Sequence, residues 1–302
     1  MDQRLEVFIK VVEKKNFSKA AEELHMTQPA VSQYIRSLED STGVKLLERT
    51  NKYVRVNKAG DIVFHHALEI KELYAKMSHL LDDLTNKASG SIAVGASYTF
   101  GEYLLPTIIA EAKEQYPGIK PTVTIGNTTT IAALVLNHQL DIGIVEGHFK
   151  DVKELKTEPF AKDRMVIVVP ANHPLANLIG SISIYELTDE TWILREQGSG
   201  TREAAEAVFQ KFSLSPKSIM HFSSTQPIKA MVEAGMGISL LSEWAIQKEL
   251  KYGDIKVLNV KELPYTRDFS IVTRSPFQTK ALSAFLNLLK DHKIVNDFKA
   301  EQ

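Results

Sequence analysis

Apolar and polar positions at the amino terminus follow the spacing of three short amphipathic helices. An apolar stripe at i, i+3, i+4 and i+7 predicts a first helix from about Gln3 to Lys14. Residues 18–38 fit two further helices, with a break at His25 and Met26. The stripes would enclose a small core and leave the opposite face of the third helix open to solvent. They consist of Leu5, Phe8, Ile9 and Val12; Ala20, Ala21 and Leu24; and Val31, Ile35 and Leu38.

The open face of the third helix carries amide, hydroxyl and guanidinium groups, which can read base edges in a DNA major groove. Thr27 is placed to cap this helix, and Pro29 lies in its first turn, where a missing N–H costs nothing. Small helical units that never bind DNA show the same periodicity, so periodicity alone leaves both interpretations open. The candidate reading residues are Gln28, Pro29, Ser32, Gln33 and Arg36.

Residues 46–60 predict a β-hairpin that follows the third helix. Residues 53–56 alternate as a strand, and the tip around Asn51 and Lys52 carries charge. Arg49, Lys52 and Arg55 are placed to meet phosphates or a minor groove, as in the wing of a winged helix-turn-helix. The alternative is that these charged side chains only keep a surface hairpin solvated. Without the three preceding helices we would favour this alternative.

Beyond Gly60 the apolar positions recur every seven residues, which predicts a long helix with an a/d seam. Such a seam favours pairing with a second copy, although it could also pack on the protein's own body. His65, His66 and Glu69 lie on this helix, but no third converging ligand is apparent, so we predict no metal site. The seam consists of Val63, Ile70, Leu73, Met77, Leu80 and Leu84.

From Ile92 onwards, strands and helices alternate, which predicts an α/β body with mainly parallel sheets. Three segments each follow a strand and open a helix, where ligands bind in open sheets. The third, residues 196–202, is the best candidate for an anion site. Its glycines let the backbone approach a ligand closely, and the helix N-terminus favours negative charge. Arg202 can donate two hydrogen bonds to an oxoanion. The alternative is that the Ser and Thr residues are ordinary helix caps.

The candidate effector-binding residues come from all three segments. Glu146, after another strand, is predicted either to bind a cationic group or to be solvated. The candidates are Ser97, Thr99 and Phe100; Asn127, Thr128 and Thr129; and Ser199, Gly200, Thr201 and Arg202.

Composition narrows the class of protein. The chain has 302 residues, no cysteine and a formal net charge of −1, which excludes disulfides and thiolate metal sites and fits a reducing cytoplasm. Residues 1–60 hold 11 basic and 8 acidic side chains, and the remainder holds 25 and 29. A basic head on an acidic body suits a site-specific DNA binder. We see no signal peptide and no apolar run long enough to span a bilayer, so we expect a cytoplasmic protein without membrane partners.

The amino-terminal residues resemble the helix-turn-helix pattern of LysR-type transcriptional regulators. Near Gln33 that family commonly has a basic residue, so the amide leaves the base preference of this chain open. The helix starts add Ser18 and Thr27 to the expected DNA-binding residues. The matching positions are Asn16-Phe17-Ser18, Ala20-Ala21, Leu24, Gln28-Pro29-Ala30-Val31-Ser32, Ile35, Leu38-Glu39, Gly43, Leu46-Leu47 and Arg49.

The resemblance implies a fold of three parts. A winged helix-turn-helix covers residues 1–58, and a linker helix that dimerises covers 59–88. An α/β effector-binding domain covers 91–302 and resembles a type 2 periplasmic binding protein, with two lobes joined by two crossing strands. The first lobe takes residues 91–162 and 266–293, and the second takes residues 163–265.

The resemblance also implies partners. These are double-stranded DNA, RNA polymerase, one or three further copies of the chain in a homodimer or homotetramer, and a small effector in the cleft between the lobes. The GSGTR segment, residues 198–202, resembles the branch that includes regulators of sulfur assimilation and carbon fixation. That branch points to an anionic metabolite.

Two other functions compete with a ligand-responsive regulator. A solute-binding protein that used only the cleft would leave residues 1–60 without a role. An enzyme would need a catalytic pattern, and the chain contains no GxSxG, HExxH or P-loop motif. We therefore expect no catalytic residues and no cofactor.

Overall fold

The chain forms two compact units, Met1–Thr85 and Asn86–Gln302. Among the residues that the structure describes, no helix combines the length and the apolar character that a bilayer span requires. This computed structural model describes residues 1–49, 54–82, 89–147, 153–274 and 278–292.

The first unit begins with the three predicted helices, and α1 has the predicted bounds. Its core contains the predicted stripes of α2 and α3 together with Leu46 and Leu47. The predicted stripe of α1 was partly wrong, because Val7 and Val11 are buried there with Phe8 and Ile9, whereas Leu5 and Val12 are only partly buried. The side chains of Asp2, Asn16 and Thr27 accept backbone hydrogen bonds at the three helix starts. These caps explain the sharp boundaries, because the first N–H groups of a helix lack partners within it. The elements are α1 Gln3–Lys14, α2 Phe17–Glu23, α3 Gln28–Thr42, β1 Leu47–Arg49, β2 Val54–Val56 and α4 Lys58–Asp82.

The second unit contains two lobes joined by long strands. Two short 3₁₀ helices, Ile184–Leu187 and Glu243–Ile246, complete it. Its elements are β3 Gly90–Ser97, α5 Tyr98–Tyr103, α6 Leu105–Gln115, β4 Ile119–Gly126, α7 Thr128–Leu136, β5 Ile142–Glu146, β6 Lys156–Pro170, β7 Thr191–Arg195, α8 Gly200–Lys211, β8 Ser218–Phe222, α9 Thr225–Glu233, β9 Ser239–Ser242, α10 Gln247–Tyr252, β10 Ile255–Val257, β11 Tyr265–Thr273 and α11 Lys280–Asp291.

Strands β6 and β11 cross between the lobes, as predicted. They run antiparallel along their length. The carboxyl half of β6 pairs with β9 and β10 in the second lobe, and the carboxyl half of β11 pairs with β5 in the first. Each lobe has its own apolar core, one around Phe100, Phe269 and Phe285 and the other around Trp192 and Val208. The site between the lobes therefore lies beside the crossing strands.

Three expectations about the second unit were wrong in detail. The sheet is mixed rather than mainly parallel, because β6 and β11 return the chain antiparallel. The apolar run at 165–169 predicts a short strand, but it is only the buried end of β6, because exposed polar residues in the first half of β6 hide the strand period there. The residues after β3, which were expected to open the next helix, form a short helix of their own, α5, and α6 begins only at Leu105, with Pro106 in its first turn.

Candidate functional site

The outward face of α3 presents polar side chains in the expected arrangement. Gln28, Gln33 and Arg36 are exposed, and Ser32 is half-buried. Gln28 Nε2 donates a hydrogen bond to Ser32 Oγ at 3.0 Å. We call Gln28, Pro29, Ser32, Gln33 and Arg36 the reading face. It holds groups that can both donate to and accept from base edges.

An open groove of about 1040 Å³ runs along the reading face to the start of the hairpin. Lys45 and Leu47 lie on the hairpin side, and Asp40 lies at the end of α3. Arg36 is the cation of the reading face, and the acid Asp40 lies close to it. This charge balance favours direct hydrogen bonds to DNA bases over a general attraction to phosphates.

The other predicted DNA-binding residues are spread around the same unit. Ser18 is exposed in α2. Thr27 Oγ1 accepts a hydrogen bond from Ala30 N at 3.4 Å and so caps α3 as predicted. Arg55 is exposed on β2 opposite Glu48, and Arg49 ends β1. Lys52 lies outside the described residues.

Helix α4 exposes much of its predicted seam. Ile70, Leu73 and Met77 are 39%, 43% and 46% exposed, whereas Val63 packs on the core of the first unit. Such a row of half-exposed apolar side chains on one helix is typical of a surface that meets another protein surface. The side chain of Leu80 and the whole of Leu84 lie outside the description.

The histidines of α4 pair with a neighbouring acid rather than converge on a metal. His66 Nδ1 lies 2.9 Å from Glu69 Oε2, and His65 Nε2 lies 3.4 Å from Glu69 Oε1. Both rings are more than half exposed. Within the described ranges, no group of three or more His, Asp or Glu side chains could hold a metal ion.

In the second unit, the predicted hydroxyls converge on Glu146. Ser97 Oγ donates to Glu146 Oε2 at 2.7 Å, and Thr99 Oγ1 donates to Oε1 at 3.0 Å. All three residues are about 1% exposed. The expectation that Glu146 is solvated is therefore wrong, since its carboxylate is buried and accepts from two site residues. The alternative, that it binds a cationic group, stays a prediction.

Arg267 ties this group to the second lobe and to the crossing strands. Its Nη1 donates to Thr201 Oγ1 at 3.3 Å, and its Nη2 donates to Thr99 Oγ1 at 3.2 Å. Its Nε donates to Asp163 Oδ2 at 2.7 Å, and Nη2 lies 3.6 Å from Glu146 Oε1. We call Ser97, Thr99, Glu146, Asp163, Thr201 and Arg267 the inter-lobe cluster. A single buried guanidinium thus links loops from both lobes.

Burial and neighbouring charges both shift the pKa values of the inter-lobe cluster. Desolvation raises the pKa of Asp163, although the charge of Arg267 and a hydrogen bond from Ser242 oppose the shift. Desolvation lowers the pKa of Arg267, but the charges of Glu146 and Asp163 outweigh it and raise the pKa overall. Arg267 therefore stays charged, and the cluster keeps a fixed cation.

The remaining predicted loops bind one another. Asn127 Nδ2 donates to Glu196 Oε1 at 3.1 Å, and Thr129 donates to Gly198 O through N at 3.2 Å and through Oγ1 at 3.3 Å. Thr128 Oγ1 donates to the backbone oxygen of Glu146 at 3.0 Å. The loops from both lobes are therefore already joined across the gap.

Gly200 lies directly against the backbone of the first lobe. A Cβ placed on Gly200 would overlap the carbonyl oxygen of Glu146 and crowd its Cγ. No other residue type fits there without moving the backbone, because a carbonyl cannot swing away as a side-chain tip can. The two lobes are thus in direct backbone contact beside the inter-lobe cluster.

Three predicted effector residues take other positions. Phe100 is 1% exposed and packs edge-to-face on Phe160 and Phe269 in the first lobe's core. Ser199 is buried and makes no side-chain cap. Arg202 donates to Glu206 Oε1 at 2.6 Å and to His221 Nδ1 at 2.8 Å, so the structure does not bring it to the inter-lobe cluster.

Sequence reasoning missed Arg267 and Asp163. Both lie in polar stretches of their strands, Asp163 between Lys162 and Arg164 and Arg267 between Thr266 and Asp268, so no local pattern marked them as buried. Their pairing was out of reach, because it joins positions 104 residues apart through the register of β6 and β11.

Two family models match the chain. The model "Bacterial regulatory helix-turn-helix protein, lysR family" matches residues 3–61, and "LysR substrate binding domain" matches residues 85–293. The first model covers the reading face, and the second covers the inter-lobe cluster.

Similar proteins span nearly the same length. The transcriptional regulator CysL of Bacillus subtilis (strain 168) is 39% identical over 290 residues, which are 95% of this chain and 96% of CysL. A probable RuBisCO transcriptional regulator of Phaeodactylum tricornutum (strain CCAP 1055/1) is 32% identical over 299 residues, 96% of each chain. Relatives thus include the carbon-fixation regulators that the GSGTR segment pointed to.

One similar solved structure is the regulatory domain of Synechocystis PCC6803 CcmR in complex with 2-PG. It is 28% identical, has a TM-score of 0.60, and covers 67% of this chain and 96% of that chain. The family models, the relatives and the helix-turn-helix geometry agree. This chain belongs to the LysR family of DNA-binding transcriptional regulators.

Proposed function

We propose that a small anionic metabolite, bound at the inter-lobe cluster, modulates the DNA binding or transcriptional activation of this regulator. The supporting observation is the convergence of hydroxyls from both lobes on one buried, permanently charged guanidinium, Arg267. A buried guanidinium with its carboxylate partners generally makes a protein less stable than a well-packed apolar core would. A site that binds a charged ligand accounts for their presence.

The anion would enter a site in which Glu146 already accepts the hydroxyl hydrogens. Ser97 and Thr99 donate to the Glu146 carboxylate, and Arg267 lies 3.6 Å from it. An incoming oxoanion needs the same donors, so it must displace this carboxylate or share the donors with it. The ligand would then change the packing of Glu146 against Gly200 and with it the contact between the lobes.

Arg202 and Arg267 are rival candidates for the charge that holds the anion. Arg202 lies in the first turn of α8, where a helix N-terminus favours anions, but it pairs with Glu206 and His221. Arg267 contacts Thr99 and Thr201 directly. We therefore propose Arg267 as the main counter-charge. The roles of Ser97, Thr99, Asn127, Thr128, Thr129, Ser199, Gly200, Thr201 and Arg202 remain predictions.

A screen of small anions by thermal shift tests this site. We expect inorganic sulfate, phosphate or a small carboxylic or phosphorylated acid to raise the melting temperature of the wild-type protein. The rise should vanish in Thr99→Val, which keeps the shape and removes the hydroxyl, and persist in Arg202→Ala. A rise lost in Arg202→Ala and kept in Thr99→Val would move the site to α8. No rise with any anion would contradict the proposal.

We also propose that the protein acts as a homodimer or homotetramer through α4. The half-exposed Ile70, Leu73 and Met77 support this, because a second copy would cover them. Leu73→Glu should shift sedimentation towards the monomer, whereas Lys71→Glu, an exposed change on the same helix, should leave it unchanged. Equal behaviour of the two variants would exclude α4 as the main interface.

The proposal places the regulator in the cytoplasm, beside DNA and RNA polymerase, and assigns it no catalytic activity. We retain the division into a reader at 1–58, a linker helix at 59–88 and an effector domain at 91–302 as part of this proposal. The relatives that match the chain are transcriptional regulators, which supports a role without catalysis.

A further inference from the structure

The base of the hairpin after α3 is held by a buried carboxylate. Glu39, in the last turns of α3, is 4% exposed. Its Oε1 accepts hydrogen bonds from Leu46 N at 3.0 Å and from Leu47 N at 3.4 Å. Its Oε2 accepts from Lys45 Nζ at 3.0 Å. Glu39 therefore satisfies consecutive backbone donors where β1 begins, and it joins them to the reading helix.

The start of α4 holds Lys45 and Leu46 from the other side. Asn57 Nδ2 donates to Lys45 O at 2.8 Å, and Asn57 N donates to Leu46 O at 3.1 Å. Asn57 Oδ1 also accepts from Gly60 N at 2.9 Å. A Cβ on Gly60 would overlap Leu46 O, so α4 lies against the hairpin base with no side chain between them. The base is thus clamped between α3 and α4.

We infer that Glu39 is a positioning residue for DNA binding. It fixes the hairpin base relative to the reading face, so that Arg55 and the other hairpin cations meet the phosphates while α3 lies in the major groove. This inference rests on the proposed phosphate contacts of Arg49, Lys52 and Arg55. Glu39 itself is buried and touches no DNA.

The sign of a charge-neutralising substitution separates this role from simple electrostatics. Glu39 and the exposed Asp40 are adjacent acids at the end of the reading helix. If each acted only by repelling phosphates, removing either charge would strengthen DNA binding. If Glu39 positions the hairpin, neutralising it weakens binding, whereas neutralising Asp40 does not.

The experiment uses the full chain and a duplex selected from a random pool by the wild-type protein. Fluorescence anisotropy at several salt concentrations gives the affinity and its salt slope. We expect Glu39→Leu to weaken binding about tenfold or more and to flatten the slope by about one unit per lost phosphate contact. Glu39→Gln keeps one acceptor oxygen and should fall between Glu39→Leu and wild type. Asp40→Asn should bind as well as wild type or better.

A second substitution tests whether the effect passes through the hairpin. Arg55→Ala should weaken wild-type binding but add little in the Glu39→Leu background, because the displaced hairpin no longer presents Arg55. If Glu39→Leu fails to fold by circular dichroism, Glu39→Gln carries the same comparison. Both Glu39→Leu and Glu39→Gln should still prefer the selected duplex over duplexes with changed base pairs, because α3 keeps its reading face.

Two results would overturn the positioning role. One is Glu39→Gln binding as tightly as Asp40→Asn. The other is full additivity of the Glu39 and Arg55 substitutions with an unchanged salt slope. Failure of the wild-type protein to enrich any duplex would instead refute DNA binding itself, and the positioning role with it.

Discussion

The reading face of α3 and the inter-lobe cluster use similar side chains in opposite surroundings. On the reading face, Gln28, Gln33 and Arg36 are exposed to solvent. In the inter-lobe cluster, hydroxyls, carboxylates and a guanidinium are almost wholly buried and hydrogen-bonded to one another. The first surface can meet a ligand as it is, whereas the second must exchange internal bonds for external ones.

This difference shows why the two regions should respond differently to substitution. An exposed side chain that only reads DNA contributes little to folding, so its replacement changes binding and leaves stability within about 0.5 kcal/mol. A buried charge that is left without its partner destabilises the fold strongly. Substitutions in the inter-lobe cluster should therefore act on stability first and on ligand response second.

Arg267→Met should cause the largest loss in the free energy of unfolding. It leaves Asp163 and Glu146 buried without their counter-charge, and breaking a buried pair in this way costs about 3–5 kcal/mol of unfolding free energy. Chemical denaturation of the full chain measures it. The matched control is Arg164→Met on the neighbouring strand β6, where the side chain is 37% exposed and lies 3.5 Å from Glu243. The contrast fails if both variants lose the same stability.

Gly200→Ala should have an intermediate effect, about 1–3 kcal/mol, because overpacking forces backbone to move. The new Cβ would overlap the carbonyl of Glu146 and separate the lobes. Limited proteolysis and small-angle scattering should report a more open second unit. Gly126→Ala, whose Cβ would meet only ordinary van der Waals contacts, should behave as wild type. An unchanged Gly200→Ala would show that the lobes tolerate separation freely.

The titration of Glu196 should have the smallest effect on the free energy of unfolding, and it should be visible only when stability is measured as a function of pH. Burial pushes its pKa upward, but hydrogen bonds and charge from Arg195 outweigh this and lower the pKa below its ordinary 4.5. Its contribution to stability is therefore present above pH 4.5 and is lost as pH falls through the lowered pKa. Denaturation between pH 3 and 6 should show a loss of about 1 kcal/mol or less that Glu196→Gln abolishes. An equal slope in that variant would assign the titration elsewhere.

The two regions also differ in how far the sequence could predict them. The three helices, the Thr27 cap and the reading face follow from spacing within one or two turns, and α1 has the predicted bounds. The cluster depends on contacts between distant segments, since Arg267 and Thr99 are 168 residues apart. Loops after strands marked Thr99, Asn127 and Thr201 as candidate effector residues, and the structure places all three at contacts that join the lobes. No local pattern could show that Glu146 occupies their centre.

The contacts of Glu39 with the hairpin base are intermediate in how far the sequence could predict them. The carboxylate and the two backbone N–H groups that donate to it are seven and eight residues apart, close enough for a sequence pattern to include them. Periodicity nevertheless assigns Glu39 no role, because it follows the apolar Leu38 on the same helix. Only the burial of the carboxylate shows that it holds the hairpin.

The most direct measurement is the binding of wild type, Gln28→Ala and Ser32→Ala to a selected duplex and to its single-base-pair variants. We expect each substitution to relax discrimination by about 1–3 kcal/mol at one or two base pairs per half-site while melting temperature stays unchanged. Gln28→Ala should affect the base pairs that Ser32→Ala affects, because the two side chains are hydrogen-bonded. Unaltered discrimination at every base pair in both variants would show that the exposed face of α3 does not read the sequence.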